Sequence, residues 1–214
     1  SDSLVLTKFT FDNSVFDSSI YKAEYYDYFK TQSYTNITFA ADTNGTPNSV
    51  AVFNGNSTVN NKGLNFEYFS WSYDIYKSMG DTQNCQSYNF MFKTSNTAKQ
   101  TIISRSNIYH YKSPIPVMFQ FIFYTENGNI NFRLEWEKIG DPNTAGVITK
   151  SCSFDYNKWN YCTYSLINEG SGLNAKRYLV FYMNGAEMWK SQALGTSDYP
   201  ATLYLQPYTG QFNI

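Results

Sequence analysis

The sequence predicts an all-β chain folded as an antiparallel β-sandwich, and three observations carry that expectation. Apolar and polar residues alternate in short runs separated by turn residues, the period of strands rather than of helices. Asn-Gly pairs lie between apolar runs at Asn127-Gly128 and Asn184-Gly185; both central residues of a type I′ hairpin turn need positive φ, which Asn and Gly tolerate. The 214 residues include 20 Tyr and 17 Phe, with polarity supplied mostly by Asn, Ser and Thr, a mixture that favours strands and turns over helices.

Taken in order, a first alternating strand is expected over 4–11. The irregular, Tyr-rich stretch at 12–35 admits a short helix over 19–29. Strands are then predicted over 36–40, 49–53, 64–72, 87–94, 100–105, 116–125 and 129–138, followed by 146–154, 159–166, 178–184, 187–191 and 201–206. The turn at Asn127-Gly128 makes 116–125 and 129–138 a meander. On its second strand Ile130, Phe132, Leu134 and Trp136 share one face and Asn131, Arg133, Glu135 and Glu137 the other, so one side is core and the other solvent or a binding surface. The strand 159–166 likewise sets Trp159, Tyr161, Thr163 and Ser165 against Asn160, Cys162, Tyr164 and Leu166. Residues 210–214 read as the start of a strand that stops. A single sandwich domain over 1–214 is expected, because sandwiches of this size commonly form one core, and a module of a longer protein fits the same reading.

Composition excludes some partners. The net charge is −1, charged residues make up 15%, and no run of five or six like charges occurs. Phosphate binding needs a concentrated basic footprint, so no nucleic-acid partner is expected. No run of eighteen apolar residues exists, so no membrane span is expected. A surface of neutral amides and hydroxyls suits work outside the cytosol or binding of neutral polar ligands such as sugars; an AT-rich genome supplies the same residues. The beginning, Ser1-Asp2-Ser3, has no basic segment followed by an apolar one, so a signal peptide is absent from this chain, either removed or never present.

Three cysteines fit no metal spacing. Residues 155–158 read as a turn, which would put Cys152 and Cys162 near each other on adjacent antiparallel strands. The pair is a candidate cross-strand disulfide, or two buried thiols packing as small apolar groups; Cys85 is left over. Sequons at Asn36, Asn44 and Asn56 cluster in one early region and are candidate glycosylation sites in a host that glycosylates.

Several segments in order are similar to the laminin G-like, concanavalin A-like lectin/glucanase superfamily. They are Asn48-Ser-Val-Ala-Val-Phe-Asn-Gly-Asn56, Tyr88-Asn-Phe-Met-Phe-Lys-Thr94, the strand Ile102 to Arg105, Lys158-Trp159 opening a strand, and Tyr182-Met-Asn-Gly185. Departures are the longer segments at 12–35 and 71–86 and the missing closing strand after Gly210. The resemblance implies a jelly-roll β-sandwich that binds glycans, proteins or lipids, with a minority of members hydrolysing polysaccharides; fold alone does not transmit function.

Glycosidases of similar fold set two acids about 5 Å apart across a sugar bond. Glu135 and Glu137 point the same way beside Arg133, but the Glu-x-Asp-x-x-Glu pattern of the glucanase branch is absent, and a solvated face with an internal ion pair is the competing reading. His110, the only histidine, lies between Tyr109 and Tyr111, superficially like the His and Tyr of polysaccharide lyases, whose neighbouring motifs are missing. One histidine excludes a His-rich zinc site. Lectin-like relatives often hold calcium at a loop rim, which makes Asp42, Asn44 and Asp81 weak metal candidates against ordinary Asx-turn chemistry. No other cofactor is implied.

Aromatic residues crowd two early stretches, and the candidate ligand-binding set is Tyr25, Tyr28, Trp71, Tyr73, Tyr76 and His110. Sugar rings stack on such faces while amides bond hydroxyls; Tyr is equally an interface anchor, or a plug over the core. The expectation is therefore a secreted or surface-displayed, non-catalytic recognition or adhesion module, with a glycan or a surface protein as partner. A structural subunit or decoration domain of a virus particle or extracellular filament, assembling into a larger particle, is the alternative. A polysaccharide hydrolase or lyase ranks third.

Overall fold

A computed structural model of the chain describes residues 10, 13, 34–35, 37–53, 63–66, 86–109, 117–138, 141–169, 176–193 and 211–213. Regular structure among the described residues is entirely β. In chain order the strands are β1 (Tyr34–Thr35), β2 (Ile37–Ala40), β3 (Val50–Phe53), β4 (Gly63–Phe66), β5 (Gln86–Phe92), β6 (Gln100–Tyr109) and β7 (Val117–Glu126). They continue with β8 (Asn129–Lys138), β9 (Asp141–Ser153), β10 (Asn160–Glu169), β11 (Lys176–Met183), β12 (Ala186–Lys190) and β13 (Gln211–Asn213). The chain divides into two compact units, 1–70 with 208–214, and 71–207.

In the first unit β4 pairs antiparallel with β1 and with β13. There β2 and β3 form a hairpin whose loop is closed by Asp42: its Oδ1 accepts the backbone N–H of Asn44 at 2.8 Å and of Thr46 at 2.9 Å. Gly45 turns the chain at φ +80°, a region costly for residues with a Cβ.

The second unit is built from two antiparallel sheets, β6-β7-β8-β9 and β12-β11-β10-β5. Both predicted Asn-Gly turns are present. Asn127 and Gly128 sit at φ 49° and 75° between β7 and β8, and Asn184 and Gly185 at 52° and 83° between β11 and β12. The period-2 pattern of β8 is obeyed: Ile130, Phe132 and Leu134 are buried, whereas Asn131 and Glu135 are half-exposed and Arg133 is exposed. The inner faces meet through aromatic rings. Phe123 of β7 lies 5.4 Å from Phe90, 5.3 Å from Tyr164 and 5.8 Å from Phe181, while Phe132 of β8 lies 4.9 Å from Tyr164 and 5.5 Å from Trp189. Each such pair adds about 0.5–1.5 kcal/mol beyond the area it buries. The two sheets thus share one apolar core, as a β-sandwich requires.

The chain passes from one sheet to the other at 154–159. Asn160, 1% exposed, holds this crossing by donating from Nδ2 to the carbonyls of Asp155 and Lys158 at 3.1 and 3.0 Å. Asn157 takes φ 61° and donates its N–H to Thr94 O. Here the structure corrects an expectation: Cys152 on β9 and Cys162 on β10 stand on strands of different sheets, because 155–158 is a sheet-to-sheet crossing and not a hairpin turn. Both are free cysteines in this structure.

Other boundaries shift. β9 starts at Asp141 rather than at 146, since pairing with β8 continues past a register shift between Trp136 and Lys138. β6 runs on to Tyr109 by pairing with β7. In both places the partner strand overrides the turn-like local sequence. The strand expected over 201–206, the helix over 19–29, most of the strand over 4–11 and residues 67–72 of the strand over 64–72 lie outside the described residues.

Candidate functional site

Antiparallel register decides which side chains share a face. On β10, Cys162 and Tyr164 point into the core, so Tyr161, Thr163, Ser165, Ile167 and Glu169 point away from it. Register then places Met91 beside Tyr161, Asn89 and Tyr182 on either side of Thr163, and Ser87 and Val180 on either side of Ser165. The result is an outer face made of rows.

One end of this face is open, with exposed Glu187 opposite Tyr182 at its β12 side. Met91 is 57% exposed and Tyr161 46% exposed, side by side, forming an apolar platform. Next to it Asn89 Oδ1 accepts the Thr163 hydroxyl at 2.8 Å and, more weakly, the Tyr161 hydroxyl at 3.4 Å. Two donors on Oδ1 fix which way the carboxamide faces, so the Asn89 NH₂ group is the part offered outward. The end of the strand is anchored by the hairpin turn: Asn184 Oδ1 accepts the Tyr161 N–H at 2.9 Å, and the Asn184 N–H donates to Tyr161 O at 2.8 Å.

The next row is closed at its centre, although Ser87 at its β5 end is exposed. Ser165 and Val180 lie on the same outer face yet are 7% and 0% exposed, and the Ser87 and Ser165 hydroxyls are hydrogen-bonded at 2.7 Å. Beyond it lies a charged end. Lys190 places Nζ 4.0 Å over the Tyr178 ring and 2.8 Å from Glu169 Oε1, a bond that raises the lysine above its usual pKa. The face therefore grades from an apolar and amide platform to an ion pair.

Of the residues expected to bind ligand, Tyr25, Tyr28, Trp71, Tyr73, Tyr76 and His110 all lie outside the described residues, as do Asp81, Asn36 and Asn56. Asp42 is described, and its Oδ1 is engaged by loop N–H groups. The Thr46 N–H foremost holds the carboxyl below its usual pKa; desolvation, the next largest effect, opposes it, and the Asn44 N–H adds a smaller lowering. Asn44 is exposed on that loop. No cluster of three or more His, Cys, Asp or Glu side chains occurs among the described residues. Glu135 pairs with Arg133 on the outer face of β8, both about half exposed. No helix among the described residues is long and apolar enough to cross a membrane.

The Met91–Tyr161 platform is not in the expected site. Its sequence signal was the alternation of 159–166, which put Tyr161 and Thr163 opposite Cys162 and Tyr164. Large aromatics occupy both faces there, so hydrophobicity alone does not say which face is core.

No family model matches this chain, and a search of curated proteins gives no significant match.

Proposed function

We propose that this chain is a non-catalytic recognition module, secreted or surface-displayed, that binds neutral saccharides on the outer face of the β12-β11-β10-β5 sheet. The reading takes the sandwich to be a jelly roll of the concanavalin A-like kind, on the ordered sequence segments given above. The observation that supports it most is the exposed Met91–Tyr161 platform adjoining Asn89 and Thr163. A sugar ring presents an apolar C–H face that packs on an aromatic or thioether surface, while its hydroxyls need neutral donors and acceptors at the rim. Asn89 offers donors with a fixed orientation, and Thr163 an oxygen with spare acceptor capacity.

The test is a glycan array followed by calorimetric titration of any hit against the intact chain and Tyr161→Ala. Expected is binding that the substitution weakens at least tenfold, with the folded baseline unchanged. Array and titration both blank against neutral polysaccharides would overturn the reading, as would a hit that Tyr161→Ala leaves intact.

A further inference from the structure

Two inward-facing thiols stand where the chain crosses between the sheets. Cys152 lies opposite Ile130 in the β8–β9 register, and opposed residues of an antiparallel pair share a face. Ile130 is 2% exposed, so Cys152 faces the interior from the edge of its sheet. Cys162 faces the same interior from β10, with no exposure at all.

The two are also at the same depth. Phe154, two residues beyond Cys152, lies 5.1 Å from Phe92. Phe92 is the partner of Asn160, two residues before Cys162. Each cysteine is therefore one inward-facing position deeper than a pair of elements that already touch across the core. The Cys162 sulfur lies 4.0 Å from the Asn160 carbonyl, towards the crossing.

We propose that Cys152 and Cys162 form an intramolecular disulfide that ties the two sheets together beside the 154–159 crossing. Packed sheets stand about 10 Å apart, and a disulfide needs Cα atoms within about 7 Å. Both are free cysteines in this structure, so the bond asks the two sheets to close up locally beside 154–159, where the same short segment leaves one sheet and enters the other.

The oxidant is a low-molecular-weight disulfide such as oxidised glutathione. The Cys152 thiolate attacks one of its sulfurs, breaking that S–S bond and releasing one glutathione thiolate. The Cys162 thiol gives its proton to solvent, and its sulfur attacks Cys152 Sγ, displacing the second glutathione. Two protein thiols are oxidised and one glutathione disulfide is reduced to two thiols. While the chain is still open both thiols are exposed, and the same two exchanges balance in the same way with Cys162 attacking first. Burial pushes Cys152 up to about 11; burial first, then the neighbouring Cys152, pushes Cys162 up to about 12. So little thiolate exists in the folded protein that the bond forms during folding, before the interior closes.

The experiment refolds the reduced full chain in a glutathione redox buffer and, separately, under reductant. Thiols are then counted in denaturant, and non-reduced peptides are mapped by mass spectrometry. Expected are one remaining thiol, a peptide linking 152 to 162, and a folding equilibrium constant about a hundredfold larger than under reductant, from closing so short a loop in the unfolded chain. Cys85→Ala is expected to leave the link intact. Three thiols after oxidising refolding, a glutathione adduct held on Cys152, or a bond from Cys85 to either residue would overturn the proposal.

Discussion

The two faces of the β12-β11-β10-β5 sheet are made of the same kinds of residue and do opposite things. Tyr164 and Phe181 look inward into a continuous ring cluster, whereas Tyr161 and Tyr182 look outward, Tyr161 onto an open platform. Both faces are rich in aromatic side chains, so residue type does not separate core from surface here. What separates them is the opposing sheet: a ring becomes core where Phe123 and Phe132 are there to meet it. Where none does, the same ring becomes an exposed platform.

The sharpest way to break this contrast is to empty the inner side. Phe181 is 1% exposed and contacts Phe123 at 5.8 Å and Trp189 at 5.5 Å. Phe181→Ala is expected to cost about 3–5 kcal/mol, from lost transfer energy plus the cavity left behind. Urea unfolding with an unchanged m-value checks it. A loss below about 1 kcal/mol would mean that the two sheets do not share this core.

Val180 blurs the contrast in an instructive way, since it points outward and is nonetheless wholly buried. Leu179, Val180 and Phe181 are consecutive and all buried, the signature of a strand covered on both sides. Val180→Ala is therefore expected to cost about 2 kcal/mol, far more than a change on an open face. An effect under about 0.5 kcal/mol would place Val180 with the open platform and enlarge the candidate site by a row.

The two Asn-Gly turns offer a smaller comparison. At Gly185 a Cβ would meet nothing within 4 Å, whereas at Gly128 it would lie 3.4 Å from Tyr156 Cε2; both have φ near +80°. Gly185→Ala is expected to cost about 1 kcal/mol from the left-handed backbone alone, and Gly128→Ala at least as much, because its Cβ would sit at the near edge of van der Waals contact with the Tyr156 ring. Equal losses in thermal unfolding would mean that the ring does not constrain the turn.

Most of the strand pattern was legible in the sequence, and for identifiable reasons. The Asn-Gly pairs fixed two hairpins, and the alternation of Ile130, Phe132 and Leu134 fixed a core face, because each rests on local backbone or side-chain geometry. The crossing at 154–159 was not legible, since Asp155-Tyr156-Asn157-Lys158 has the chemistry of a hairpin turn. What makes it a crossing is non-local: Asn157 bonds Thr94 and Phe154 packs on Phe92. The Met91–Tyr161 platform was not anticipated, for a related reason. Clusters of aromatics along the chain drew the expectation to Tyr25, Tyr28, Trp71, Tyr73 and Tyr76, whereas the Met91–Tyr161 platform joins residues from two strands distant in sequence.

If the outer platform serves binding and not stability, its removal should hardly move the folding equilibrium. Tyr161→Ala is expected to change stability by less than about 0.5 kcal/mol, as for surface positions away from packing or capping. The main-chain bonds of Tyr161 to Asn184 do not depend on the side chain. A loss of several times that size would make Tyr161 a packing residue and take away the surface on which the saccharide reading rests.

The smallest effect separates the platform from the β2–β3 loop, whose Asp42 was a weak metal candidate. Asp42 is held below its usual pKa, first by the Thr46 N–H. A carboxylate whose folded pKa is depressed contributes stability that is present above the unfolded value and lost as pH falls through the folded one. Acid therefore weakens the β2–β3 loop, and the Lys190–Glu169 pair runs the other way: the raised lysine pKa adds stability below its unfolded value that is lost as pH rises through the folded one. Both groups are exposed, so both effects are small and fall with salt. Asp42→Ala should flatten the acid limb of the stability profile below pH ~4 without touching the saccharide titration. If that substitution instead removed ligand binding, the carboxylate would be acting on the ligand or on a bound ion, and the β2–β3 loop would replace the Met91–Tyr161 platform as the place to look.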